Sequence, residues 1–122
     1  MFKMVFVVNT SLKLKPGKLA SQTAHAAVSL YIKSKSESKK HLLFFNEIDT
    51  WVSQGQKKIV LKGIDSPQLV QMNTIAQESS IMSVLIQDAG HTHLKPGSLT
   101  CLGLFGKEEE INRITGSLNL YN

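Results

Sequence analysis

Met4-Val5-Phe6-Val7-Val8 is an unbroken apolar run built mostly of β-branched and aromatic residues. It is far too short to cross a bilayer and reads as a strand buried on both faces. A strand of that kind needs cover above and below, which in one chain means helices on both faces of one sheet. The 122 residues suffice for one such domain with a real core and are too few for two.

The remaining punctuation agrees. Asn9 to Lys15 reads as a loop, and Pro16 suits the first turn of a helix that the following alanines favour. Ser34 to His41, polar and lysine-rich, is expected to be an exposed turn. Leu42, Phe45, Ile48, Trp51 and Val52 have the spacing of a short amphipathic helix ended by Gly55. Lys58 to Lys62 and Met82 to Gln87 read as strands. Between them lies a helix with Ser66 as N-cap, Pro67 as first helical residue and Leu69, Val70, Met72, Ile75 and Ala76 as its buried stripe. A fourth strand is expected near Leu99 to Phe105. A helix opened by Glu108, Glu109 and Glu110 follows, with Gly116 as its stop and a last extended piece from Leu118 to Tyr121. The fold class is α/β, a single domain over residues 1–122. Its mixed, mostly parallel sheet of about four strands is flanked by helices on both faces, and the short link between the third and fourth strands makes it mixed.

Projected at about 100° per residue, Lys18, Ser21, Gln22, His25 and Ser29 share one stripe of the first helix. These are short hydrogen-bonding groups beneath a single lysine, unlike the Glu and Lys pairs of an ordinary solvent face. Ligands of open α/β sheets bind at the carboxyl ends of strands. At that edge the sequence gathers Lys13, Lys15 and Lys18 after the first strand and Asp88 after the third. The loop from Asp88 to Gly97 carries His91, Thr92 and His93, with Ser98 just beyond. Lys18 near a helix N-terminus suits an anion. His91 and His93, even with His25 and Asp88, are a thin metal signal, and no metal or cofactor is expected. A Ser98–His91–Asp88 triad lacks the strained nucleophile turn. Cys101, the one cysteine, allows no disulfide framework and sits in an apolar run as a core residue.

The net charge is +5, and all basic residues but Arg113 are lysine. An acidic partner is favoured, nucleic acid first, held by lysine point charges along a backbone without arginine readout of bases. No signal segment or membrane span is read, and the expected setting is cytoplasmic.

An ordered set of short motifs runs nearly end to end. It begins with Lys3-Met4-Val5, Leu12-Lys13, Gly17-Lys18, Gln22 and His25-Ala26-Ala27-Val28. It continues with Trp51, Gly55-Gln56, Lys58-Ile59-Val60-Leu61-Lys62 and Gln87-Asp88-Ala89-Gly90. Thr92, Pro96-Gly97-Ser98, Leu102-Gly103 and Thr115-Gly116 close it. In this the chain resembles the archaeal and eukaryotic type of peptidyl-tRNA hydrolase. The resemblance implies hydrolysis of the ester joining a peptide to the 3′-terminal ribose of tRNA, a mixed sheet between helices, often a homodimer, and no cofactor. It puts Lys18, Gln22, Asp88 and Thr92 at the catalytic positions, with His25, His91, Ser98, Lys13 and Lys15 as substrate-binding residues. Lys57 and Lys58 would add phosphate contacts to the acceptor stem. The chain departs from the family pattern at Ser11, usually aspartate, and at Asn9 and His91, both often arginine; Lys15-Pro16 replaces a glycine–lysine pair. Two other readings fit the residues: a tRNA 3′-end binding paralogue without turnover, and a protein adaptor using Phe44, Phe45 and Trp51.

Overall fold

The computed structural model describes residues 1–40, 47–88 and 97–122. Strand β1 (Phe2–Asn9) is central, and Met4 to Val8 are at most 2% exposed. A 3-10 turn (Thr10–Leu12) leads to helix α1 (Pro16–Lys40). Then come α2 (Glu47–Ser53), β2 (Lys58–Gly63), α3 (Ser66–Glu78), β3 (Met82–Gln87), β4 (Leu99–Lys107) and α4 (Glu108–Thr115). The sheet order is β2-β1-β4-β3.

The sheet is mixed, and β1, β2 and β3 share one direction, as their helical connections allow. Its pairing is mostly antiparallel. β4 returns from β3 and inserts beside β1, so only β1–β2 pairs in parallel, while β1–β4 and β3–β4 are antiparallel. That insertion replaces the mostly parallel sheet read from the sequence. It follows from a β3–β4 link too short for a crossover to another parallel strand.

Alternation along β1 divides the core. Val5 and Val7 pack with Leu69, Met72, Ala76 and Ile111 of α3 and α4. Met4 and Phe6 pack with Ala26, Leu30, Ile48 and Trp51 of α1 and α2. Trp51 meets Phe105 edge-on at 5.9 Å and donates its indole N–H to Lys57 O at 2.9 Å. α1 lies close on β4 at Gly103, where a Cβ would stand 3.1 Å from Leu30 Cδ1 and Val84 Cγ2 and 3.2 Å from Ala26 Cβ.

Two local expectations change. α1 runs through Ser34 to Lys40 where a turn was expected, because that stretch holds no glycine or proline and Ser34 is itself buried. The N-cap of α3 is Asp65, whose carboxylate accepts from Gln68 N at 3.0 Å; Ser66 is the first helical residue. The expected start of α2 at Leu42 and Phe45 lies outside the described residues. The segment ending at Tyr121 is extended as expected. It bridges the outer edge of β2, with Lys62 N donating to Asn119 O and Tyr121 N to Val60 O.

Candidate active site

Because β1 and β3 end on the same side of the sheet, the loop after β1 and the residue after β3 meet there. Lys18, in the first turns of α1, places Nζ 2.5 Å from the Asp88 carboxylate. The Asp88 side chain is fully buried and that of Lys18 is 18% exposed. A buried carboxylate persists as a charge only when paired and hydrogen-bonded. The ammonium answers that need and keeps an open side toward solvent. The Asp88 backbone is fixed at the hairpin mouth: its N–H donates to Ser98 O at 2.8 Å, and Gly97 N donates to its O at 3.3 Å.

One turn along α1, Gln22 is also buried, and its Oε1 accepts from Thr100 Oγ at 2.7 Å. Thr100 was not singled out in the sequence, and a β-bulge explains why. The β3–β4 register slips between Ile86 and Gln87, which face Cys101 and Leu99, so Thr100 is the extra residue on β4. The slip turns its side chain to the α1 side, within 3.2 Å of Ile86 O as well, while Leu99 packs on the opposite face. Bulges re-aim side chains in this way and gather beside active sites. A sequence alternating Ser98-Leu99-Thr100-Cys101 gives no sign of it.

Asn9 ties the floor together. It is 1% exposed; its Nδ2 donates to Leu99 O at 2.8 Å and to Ser66 Oγ at 3.3 Å. Its Oδ1 accepts from Ser11 N at 3.1 Å and Ser11 Oγ at 2.6 Å. Asn9 and Ser11, two of the departures from the family pattern, therefore form one neutral hydrogen-bonded unit. It binds the end of β1 to the start of β4, directly beside Ser98 and Thr100.

The polar stripe of α1 divides. Lys18 and Gln22 turn into the site, whereas Ser21 and His25 are exposed. Lys13, in the left-handed region at φ 49°, and Lys15 are exposed on the approach to α1. Lys62, which the sequence did not single out, is exposed at the same end of the sheet. Lys57 and Lys58 do not join them. They stand at the opposite end, where Lys57 pairs with Glu108 and Lys58 lies 5.2 Å above the Trp51 ring. His91 and Thr92 lie outside the described residues. Among the described residues no cluster of His, Cys, Asp and Glu has the makings of a metal site. Burial pushes the Cys101 thiol up to about 12, which leaves it a core residue without thiolate character. Among the described residues no helix is long and apolar enough to cross a membrane.

The family profile of peptidyl-tRNA hydrolase PTH2 matches residues 2–121. The peptidyl-tRNA hydrolase of Methanopyrus kandleri is 41% identical over 121 residues, covering 98% of each chain. That of Sulfolobus acidocaldarius is 43% identical over 124 residues, 97% of this chain and 98% of its own. The mouse protein named peptidyl-tRNA hydrolase 2, mitochondrial, is 42% identical over 121 residues, 98% of this chain and 64% of its own. In fold alone the chain is similar to a solved protein of unknown function from Agrobacterium tumefaciens. The TM-score there is 0.60 at 13% identity, with 99% and 98% of the two chains covered. With a profile match from end to end and relatives above 40% identity over their full length, the chain belongs to the peptidyl-tRNA hydrolase PTH2 family.

Proposed function

We infer that the protein hydrolyses the ester between a peptide and the 3′-terminal ribose of tRNA, releasing peptide and free tRNA. The observation that carries the reading is the Lys18–Asp88 pair, held at the strand ends beside the Gln22–Thr100 bond. The family and its named relatives supply the substrate class.

The ester is already activated, so the site needs an oriented water and a group that meets negative charge. Asp88 orients the water and takes its proton as the water oxygen attacks the acyl carbon. Lys18 faces the oxyanion that forms. Collapse breaks the bond to the ribose oxygen, which leaves with the proton. Gln22, braced by Thr100, positions the acyl group, and Thr92, which follows Asp88 in the sequence, holds the ribose. His25, His91 and Ser98 belong to the substrate-binding rim. Lys13 and Lys15 meet phosphates of the acceptor stem without reading sequence. No metal or cofactor enters this scheme. A cytoplasmic setting and a homodimer complete the reading by analogy with the family.

Purified N-acetyl-aminoacyl-tRNA, scored for release of free tRNA, tests it. Asp88→Asn and Lys18→Ala should each lower kcat/KM by about 10²–10⁴-fold. Wild-type turnover in both would remove the assignment. Salt-sensitive tRNA binding without cleavage would instead indicate a binding paralogue. The adaptor reading is weakened because Trp51 is 4% exposed and faces the core; Phe44 and Phe45 lie outside the described residues.

A further inference from the structure

β3 is an edge strand: among the described residues its only strand neighbour is β4. The outer edge of such a strand presents a row of backbone N–H and C=O groups ready to pair with another chain. Two contacts align α1 along this edge. Lys18 reaches Asp88 at the end of β3, and Lys33 Nζ donates to Ser83 O near its beginning, at 3.1 Å. Between these points the helix advances about 22 Å and the strand about 17 Å, so the two run side by side in opposite directions. An open groove of about 470 Å³ runs along α1, lined by Ser29, Ile32, Lys33, Ser36 and Glu37, and Lys33 is the lining residue that reaches β3. Ile32 is 63% exposed there.

We propose that the peptidyl part of the substrate lies along this flank as an added strand on the β3 edge. Its acyl carbon sits at Asp88 and its N-terminal end points toward Ser83, parallel to β3. The inference rests on the hydrolase reading above and names where the second half of that substrate goes. The acyl carbon is fixed at Asp88, and the exposed lysines Lys13 and Lys15 claim the β1 side for phosphates. The peptide therefore leaves by the other side, along α1 and β3.

A second argument is chemical. Peptides dropped in mid-synthesis share no side-chain sequence, so a site that accepts them all must grip the backbone. Strand addition does this, with side chains resting on tolerant surfaces. Ser29 and Ser36 are small, and Ile32 offers an apolar surface without a defined pocket. Lys33 covers Ser83 O at the far end, and a lysine on a strand edge also guards against edge-to-edge association. The length available, about 17 Å, accommodates about five residues of extended peptide.

The test compares N-acetyl-aminoacyl-tRNA with peptidyl-tRNAs carrying two, four and six residues. A further four-residue substrate has alternate amides N-methylated. For the wild type, kcat/KM should rise with length by roughly tenfold, level off near five residues, and lose that gain on N-methylation. Ile32→Asp should reduce the ratio of six-residue to N-acetyl activity by about fivefold, with circular dichroism confirming the fold. Equal rates at all lengths, or indifference to N-methylation, would overturn the proposal while leaving the hydrolase reading intact. So would an Ile32→Asp variant that changes the sedimenting mass but not the length dependence, which would assign the face to a second copy of the chain. Failure of the wild type to cleave any of the esters would remove the hydrolase reading itself, and this one with it.

Discussion

The Asp88 carboxylate is fully buried, and Lys18 supplies a counter-charge to it. Taking a carboxylate out of water costs several kcal/mol, so holding this pair at the strand ends comes at some expense to stability. Its partner bond, Thr100 to Gln22, is the sharper probe, because one hydroxyl can be deleted without changing volume. Thr100→Val leaves Gln22 Oε1 buried without that donor, at a cost of about 1–3 kcal/mol. With the amide unbraced, kcat should fall by about 10–100-fold and KM by less than threefold either way. Thr100→Ser restores the hydroxyl and should recover most of the rate. A merely structural role would show the stability loss with kcat preserved. At this scale Lys18 and Asp88 were legible in the sequence, since a helix start and a strand end carry local signals. Thr100 was not, because the bulge that re-aims it is a property of two strands in register. Asn9 and Ser11 stood out only as departures; that they form one neutral unit with Leu99 and Ser66 depends on contacts between residues far apart in the chain.

Elements hold the site through one close approach. α1 carries Lys18 and Gln22, and it comes close to β4 at Gly103, where a Cβ would press on Leu30, Val84 and Ala26. Gly103→Val should therefore overpack the interface, costing about 2 kcal/mol and lowering Tm by roughly 8 °C. Lifting α1 also draws Lys18 from Asp88. Activity measured well below the new Tm should fall further than the folded fraction does, and denaturant melts beside initial rates check both. The alternation and capping residues marked nearly every element. The extension of α1 past Ser34 was hidden because serine and lysine suit turns as well as exposed helix; what decides is the burial of Ser34 and the bond from Lys33 to Ser83 O of β3. The place of β4 between β1 and β3 is a choice among pairings of similar local quality. Only the whole set of contacts makes it.

At the scale of the molecule the question is where a net charge of +5 acts. The fold separates the lysines by sheet end: Lys13 and Lys15 with the site, Lys57 at the other end in an ion pair with Glu108. A phosphate contact releases counterions, so log kcat/KM below saturation should fall linearly with log salt, by about 0.7–0.9 per contact. Lys13→Ala and Lys15→Ala should each flatten that slope by about one contact and weaken binding most at low salt. Lys57→Ala should leave the slope unchanged, since an exposed pair facing away from the site contributes little to either stability or encounter. In the proposed scheme the chemical step sits apart from this field. At saturating substrate, kcat for the Lys13→Ala and Lys15→Ala variants should match the wild type, because the Lys18–Asp88 pair is shielded from bulk ions by its burial. A slope that responds equally to Lys57 would mean that the nucleic acid spans both ends of the sheet, and that the division of charge by sheet end has no part in binding.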